Sequence, residues 1–213
     1  LPARLRQGPA RSRLARDRRL TAAANSRHER FKRALIQSTR ALAGRTDLDV
    51  QFGPQGPLLN GHKLVLPALP NPLTAADAAR LRGHADRLAL CLAYHDAAVH
   101  ARLRPEGARA RELYDALEDV RCQALGAAVL AGVDANLTAM LLDGLERKGV
   151  RPGQPGNPST NETLALLARE ALTARPLPPL AAEHVARQRT DLGPRTARSL
   201  AALSQAVHDQ ERF

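Results

Sequence analysis

The stretch from Arg82 to Leu137 reads as one uninterrupted run of helix, expected to fold as two long neighbouring helices. Within it Leu113, Leu117, Val120 and Ala124 recur three or four residues apart, which puts them on one face turned to a core. The same run concentrates histidines, carboxylates and both cysteines, Cys91 and Cys122. Other helices must cover its apolar face, and the composition agrees. Hydrophobic residues make up 44% of the chain but aromatics only 2%, with no Trp, so the core has to be built from Leu, Ala and Val. Those residues suit closely packed helices better than a sheet sandwich. A chain of 213 residues can bury one sizeable core.

The remaining punctuation divides the chain into a basic, flexible N-terminal arm over 1–25, helical from about Arg11, and one helical domain over 26–213. Ser26 with Glu29 three residues later is a capping box that predicts a helix to about Ala43, stopped by Gly44. The period then changes from helical to alternating: Leu48, Val50 and Phe52, then Leu64 and Leu66. With Asn60-Gly61 as a turn signal, this predicts one small antiparallel hairpin within 48–66, its strands near 48–52 and 63–66. Thr74 and Asp77 open a helix over 75–95, and Asp96 caps a short one over 97–103. Pro105, at a first-turn position, opens a long helix over 105–131. Further helices are expected over 133–147, 160–174, 181–190 and 194–209, with a Gly- and Pro-rich loop at 149–159. The fold class is mostly α, a multi-helix domain with one small antiparallel β-hairpin.

Charge is unevenly placed. Residues 1–45 hold 13 Lys and Arg against Asp17 and Glu29, which accounts for the whole net charge of +11 and leaves the rest neutral. A basic arm can dock on an acidic partner or on nucleic acid, or it can be a solvated leader. Phe31 is the one aromatic near it, so it lacks the stacking platforms of single-strand binders, and nucleic acid is not the expected partner. Two cysteines are too few for a disulfide framework and fit a reducing, cytoplasmic setting. No apolar run approaches the ~20 residues that span a bilayer, and no signal-peptide pattern is visible.

Several residue groups invite chemical readings. His84 with His95-Asp96 suggests a metal hydrolase of the His-Asp type. Eleven helical residues separate the two histidines by ~16 Å, however, too far for one metal. His95 at a helix C-terminus is favoured by the helix dipole, and Asp96 serves as a cap. His95 and His100 can meet only if the chain turns at Asp96. Cys91 and His95, four apart, can ligate a metal with Cys122 or Glu118, but buried cysteines are more often core residues. Glu112, Asp115 and Asp119 line one helix face without the Glu-x-x-His of carboxylate-bridged metal pairs, so they read as a solvated or partner-binding face. Glu118 can pair with Arg121 or Arg111. No phosphate loop, dinucleotide fingerprint or nucleophile elbow occurs. No catalytic residue and no metal ligand is assigned on these patterns.

A resemblance adds what spacing does not. Phe31-Lys32-Arg33-Ala34 and Ser38-Thr39-Arg40-Ala41-Leu42-Ala43-Gly44 resemble the N-terminal region of the CobT family, the T subunits of aerobic, ATP-dependent cobaltochelatase. So do Ala89-Leu90, Leu92-Ala93, His95-Asp96, Val99-His100-Ala101 and Pro105-Glu106-Gly107. Tyr114 to Glu118 with Arg121, Gly132-Val133 with Asn136-Leu137, and the final Asp209-Gln210-Glu211-Arg212-Phe213 extend the likeness. It covers roughly 28–213 and is strongest over 82–140. Such a family implies a cytoplasmic ligase-class complex of cobalamin (vitamin B12) biosynthesis. That complex inserts Co(II) into hydrogenobyrinic acid a,c-diamide and uses ATP, Mg and Co. A large N subunit binds the tetrapyrrole, an AAA+ S subunit hydrolyses ATP, and the T subunit assembles and couples the two. By this resemblance the chain is a non-catalytic assembly subunit without a cofactor of its own. Its partner contacts are expected on exposed polar faces near His84, His95, Asp96, His100, Glu112, Asp115, Glu118 and Arg121. The D-x-S-x-S metal site of the family's von Willebrand A-type domain does not occur, so the chain reads as the N-terminal domain of a longer subunit or as a short relative. The alternatives from other classes are the His-Asp metal hydrolase and a helical nucleic-acid-binding protein with a basic arm.

Overall fold

The computed structural model describes the backbone of residues 9–154 and 156–213, and side chains from Asn25 onward. Residues 1–8 of the expected basic arm, and the side chains of its next sixteen residues, lie outside this description. Eight helices and a three-stranded sheet follow one another in the described residues. They are α1 (Pro9–Ala43), β1 (Asp49–Gly53), β2 (Leu58–Asn60), β3 (Lys63–Pro67), α2 (Ala75–Tyr94) and α3 (Ala97–Leu103), then α4 (Ala108–Val129), α5 (Ala131–Arg147), α6 (Thr160–Thr173), α7 (Pro179–Asp191) and α8 (Pro194–Ala206). The fold is mostly α. No helix among the described residues is long and apolar enough to cross a membrane.

The run from Arg82 to Leu137 is not continuous. It breaks at His95-Asp96, across Arg104–Gly107 and at Leu130, which ends α4 and begins α5. Pro105 lies outside α4, because Gly107, at φ +88°, is the residue that caps it. Ser26 does not cap a helix either, since α1 runs through it from Pro9. The strong helix formers Ala22, Ala23 and Ala24 precede it with no breaker between, and Glu29 pairs instead with Lys32 at 3.0 Å. The stop at Gly44 is as expected. Its φ of +64° lets the Arg45 amide return to the Arg40 carbonyl at 3.0 Å, closing the helix end.

The small sheet corrects the expected antiparallel pairing. β1 runs parallel to β3, with Val50 opposite Leu64, and β2 forms the antiparallel hairpin with β3. Asn60-Gly61 marks the right turn but joins a strand the alternation missed, because Leu58-Leu59-Asn60 is too short to show a period. Gly61, at φ +59°, takes the first central position of the two-residue loop, where only glycine is at ease. One face of β1 and β3 buries Val50, Leu64 and Leu66 with Leu35 of α1 and Leu81 of α2.

α2 is the central element. It packs most extensively on α5 and also contacts α1, α4 and β3. Two glycines set how close it comes. A Cβ on Gly83 would lie 2.3 Å from the Asn136 carbonyl oxygen of α5, and one on Gly126 of α4 would lie 2.3 Å from the Leu90 side chain of α2. Leu90, Cys122, Val133 and Leu137 close the α2–α4–α5 junction, while Leu145, Leu166, Leu167 and Val185 form a second core under α5, α6 and α7. Asp86 of α2, nearly buried, accepts a hydrogen bond from the Asn136 side chain at 2.8 Å.

Two outcomes follow from this packing. Gly83→Ala should lower stability by about 2 kcal/mol or more, because the clash with fixed backbone outweighs the helix-propensity gain. Gly144→Ala, with open space around its Cβ, should raise stability by roughly 0.5–1 kcal/mol. Thermal unfolding of both variants checks the pair. Burial pushes the Asp86 carboxyl from 3.8 up to about 6, despite the Asn136 hydrogen bond and the nearby Arg82. The folded state therefore binds a proton that the unfolded state lacks between those two values, and this group favours folding as pH falls through that window. Its penalty is fully present above pH about 6, so Asp86→Asn should gain about 1–3 kcal/mol near neutral pH and nothing below about pH 4. Denaturant titrations at the two pH values read the difference.

Candidate functional site

The residues expected to meet partners fall mostly at one place, the corner where α2, α3 and α4 meet the chain's final residues. Asp96 caps α3 as expected, accepting from the Ala98 and Val99 amides at 2.8 and 3.1 Å. Those amides hold its carboxyl below the usual range. The turn at Asp96 brings His100 to His95, with ring centroids 4.8 Å apart, and stacks His100 on Tyr114 at 4.4 Å.

Beneath them lies a tight polar network. Glu118 accepts from Arg121 Nε at 2.7 Å and Nη2 at 2.8 Å, and pairs with His95 Nδ1 at 2.9 Å. Burial alone would raise the Glu118 carboxyl, but the hydrogen bonds from Arg121 and His95 outweigh it and hold it below its ordinary value. The carboxylate is thus ionised and can only accept, so His95 Nδ1 carries the proton. Arg121 also donates to the Tyr94 carbonyl at 2.7 Å, the Val207 carbonyl at 3.2 Å and Gln210 Oε1 at 3.0 Å. Gln210 in turn accepts from the Asp96 amide and donates to the Asp96 carbonyl. Phe213 covers the guanidinium at 5.9 Å, and Arg102 pairs with Glu211. The last seven residues are therefore clasped to the helix corner by Arg121, by the Asp96 backbone and by Arg102.

This arrangement corrects part of the expectation. Glu118 and Arg121 are not on an exposed face; they are 6% and 2% exposed, because α3 and the C-terminal residues cover them. Asp115 does face out, bonded to His100 Nε2 at 2.8 Å and Arg104 at 3.3 Å. Two residues stand elsewhere. His84 lies midway along α2, where burial and the neighbouring Arg80 hold its ring below the ordinary histidine value. Glu112 sits near the start of α6, 3.5 Å from Asn161. Tyr114, Gln210 and Phe213 complete the corner without having been singled out by spacing. Only the family likeness signalled them, through Tyr114 to Glu118 and through Asp209 to Phe213.

The metal-like groupings do not converge. Cys122 contacts Glu118 at 3.6 Å, and burial pushes both cysteine thiols up. His95 turns to Glu118 while His84 lies midway along α2, and no group of three His, Cys, Asp or Glu among the described residues is placed to hold one ion.

Comparison with known families settles the ancestry of this corner. The family model described as "Cobalamin biosynthesis protein CobT" matches residues 25–213. The chain belongs to the CobT family. Membership ties it to cobalamin biosynthesis, and the match runs from Asn25 of α1 through every later element to the C-terminal clasp. No solved structure matches the chain. In this CobT-family domain the clasp depends on Arg121. Arg121→Gln should cost about 3 kcal/mol, because Glu118 is left buried without its main partner. Amide exchange at Asp209, Arg212 and Phe213 should accelerate in that variant, whereas Gln210→Ala should cost about 1 kcal/mol.

Proposed function

We propose that this chain is the non-catalytic assembly and coupling subunit of an ATP-dependent cobaltochelatase, the enzyme that inserts Co(II) into hydrogenobyrinic acid a,c-diamide. In this reading ATP hydrolysis belongs to an AAA+ S subunit and tetrapyrrole binding to a large N subunit, while this chain joins them. Family membership over 25–213 supplies the context. The observation that carries the reading is the helix corner itself. Its buried charges are consumed in holding the fold together, while Asp96, His100, Asp115, Arg102 and Arg104 form an outer polar rim presented on rigid helices. A pre-organised polar rim suits recognition of another protein better than bond-making.

Size-exclusion with light scattering tests the reading. The chain, mixed with the AAA+ subunit of the same organism, should co-elute, and ATP should change the proportion in the complex. A double variant of the rim, Asp115→Ala with Arg104→Ala, should weaken co-elution and cobalt insertion together. Separate elution with and without nucleotide, at concentrations where cobalt insertion proceeds, would refute the assembly role.

A further inference from the structure

A second polar site lies far in sequence from the corner, between the first turns of α5 and the C-terminal end of α6. A cavity of about 290 Å³ opens there, walled by Asp134, Thr138, Arg169, Thr173, Arg175 and the Pro176–Pro178 segment. Arg169 is 9% exposed, yet its guanidinium is poorly engaged for so buried a charge. Its contacts to Gln123 and Asp134 are long, 3.5 and 3.4 Å, and only Thr138 Oγ1 is close, at 3.0 Å. Gln123 is oriented from its other end, where its Nε2 donates to Asp119, which Arg87 holds through both oxygens, and its Oε1 stays 3.5 Å from Arg169. A guanidinium has five N–H donors in a planar fork, and leaving such a group buried and under-used is costly. Burial, with Arg175 adding to it and Asp134 opposing, holds the Arg169 pKa below its ordinary value.

Arg175 is brought to the same cavity by a turn that is itself unusual. Ala174 takes the left-handed conformation, φ +52°, the one residue other than glycine with positive φ among the described residues. Alanine there costs on the order of 1 kcal/mol, and such positions cluster at functional sites. The outcome is two guanidiniums on one carboxylate, with Arg175 Nη1 2.5 Å from Asp134. One positive charge is left over, facing a pocket with an apolar wall of Pro176, Leu177 and Pro178.

We propose that this cleft binds the carboxylate of an organic acid with an apolar body, held by the forks of Arg169 and Arg175 and by the Thr138 hydroxyl. A planar carboxylate matches the guanidinium fork. Its single negative charge equals the surplus of the site, whereas a phosphate dianion would overshoot it beside Asp134. Thr138 accepts from Arg169 and keeps its own proton to donate. The proposal does not depend on the assembly reading above.

The test follows the arginine Nε–Hε signals of the whole protein by NMR during titration with sodium benzoate, with benzamide and inorganic phosphate as comparisons at constant ionic strength. Saturable shifts of Arg169 and Arg175 are expected with benzoate, none with benzamide, and weaker binding with phosphate. Arg169 substitution endangers the fold, so the variants are elsewhere. Arg175→Gln should weaken benzoate roughly tenfold, and Asp134→Asn, which removes the competing charge, should tighten it by a similar factor. Linear shifts, equal responses to benzoate and benzamide, tighter binding of phosphate, or unchanged affinity in both variants would each overturn the assignment.

Discussion

The close approach of α2 to its two neighbours is the constraint on which the other features depend. Gly83 and Gly126 remove the side chains that would hold α2 away from α5 and α4. The gain is close contact, with the α5 backbone at Gly83 and the Leu90 side chain at Gly126, at a junction whose packed residues include no aromatic. Dispersion falls steeply with separation, so a Leu- and Ala-built core is stable only if its helices come this near. Once α2 is fixed, Asn136 meets Asp86, Asp119 meets Arg87, and His95 is delivered above Glu118. The polar pairs are consequences of the packing rather than its cause, since buried pairs recover little beyond their own desolvation.

Most helices were legible because their ends carry local chemistry. Thr74 with Asp77 and Asp96 cap helices as their side chains suggest, and Gly44 stops one. What misled was chemistry whose meaning depends on neighbours. Ser26 and Glu29 have the right spacing for a cap, but a helix already arriving from Pro9 leaves nothing to cap. Alternation at 48–52 and 64–66 correctly marks two strands, yet direction is set by a third, β2, whose three residues are too few for a period. Pro105 looks like a helix opener, but the positive φ of Gly107 decides the boundary.

The candidate corner was half legible. Its members stand out through residue type and resemblance, but spacing allows His95 and His100 to meet only on the condition of a turn at Asp96, which the structure supplies. Their burial was not legible. Glu118 and Arg121 sit on α4 three residues apart, as an exposed helical ion pair would, and the turn into α3 together with the return of the last seven residues covers them. That contact joins positions almost ninety residues apart, and no local pattern encodes it. The Arg169 cleft was missed for the same reason. Its three polar groups come from two helices and a turn, and none forms a recognisable motif.

The thiol of Cys122 has a consequence of another kind. It is almost fully enclosed, and burial with the adjoining Glu118 charge keeps it protonated. Only the thiolate attacks alkylating reagents, so the folded protein should leave this sulfur untouched while an opened one exposes it. Because it lies where α2, α4 and α5 meet, its rate of labelling is a clock for the loosening of that junction, built on a native side chain.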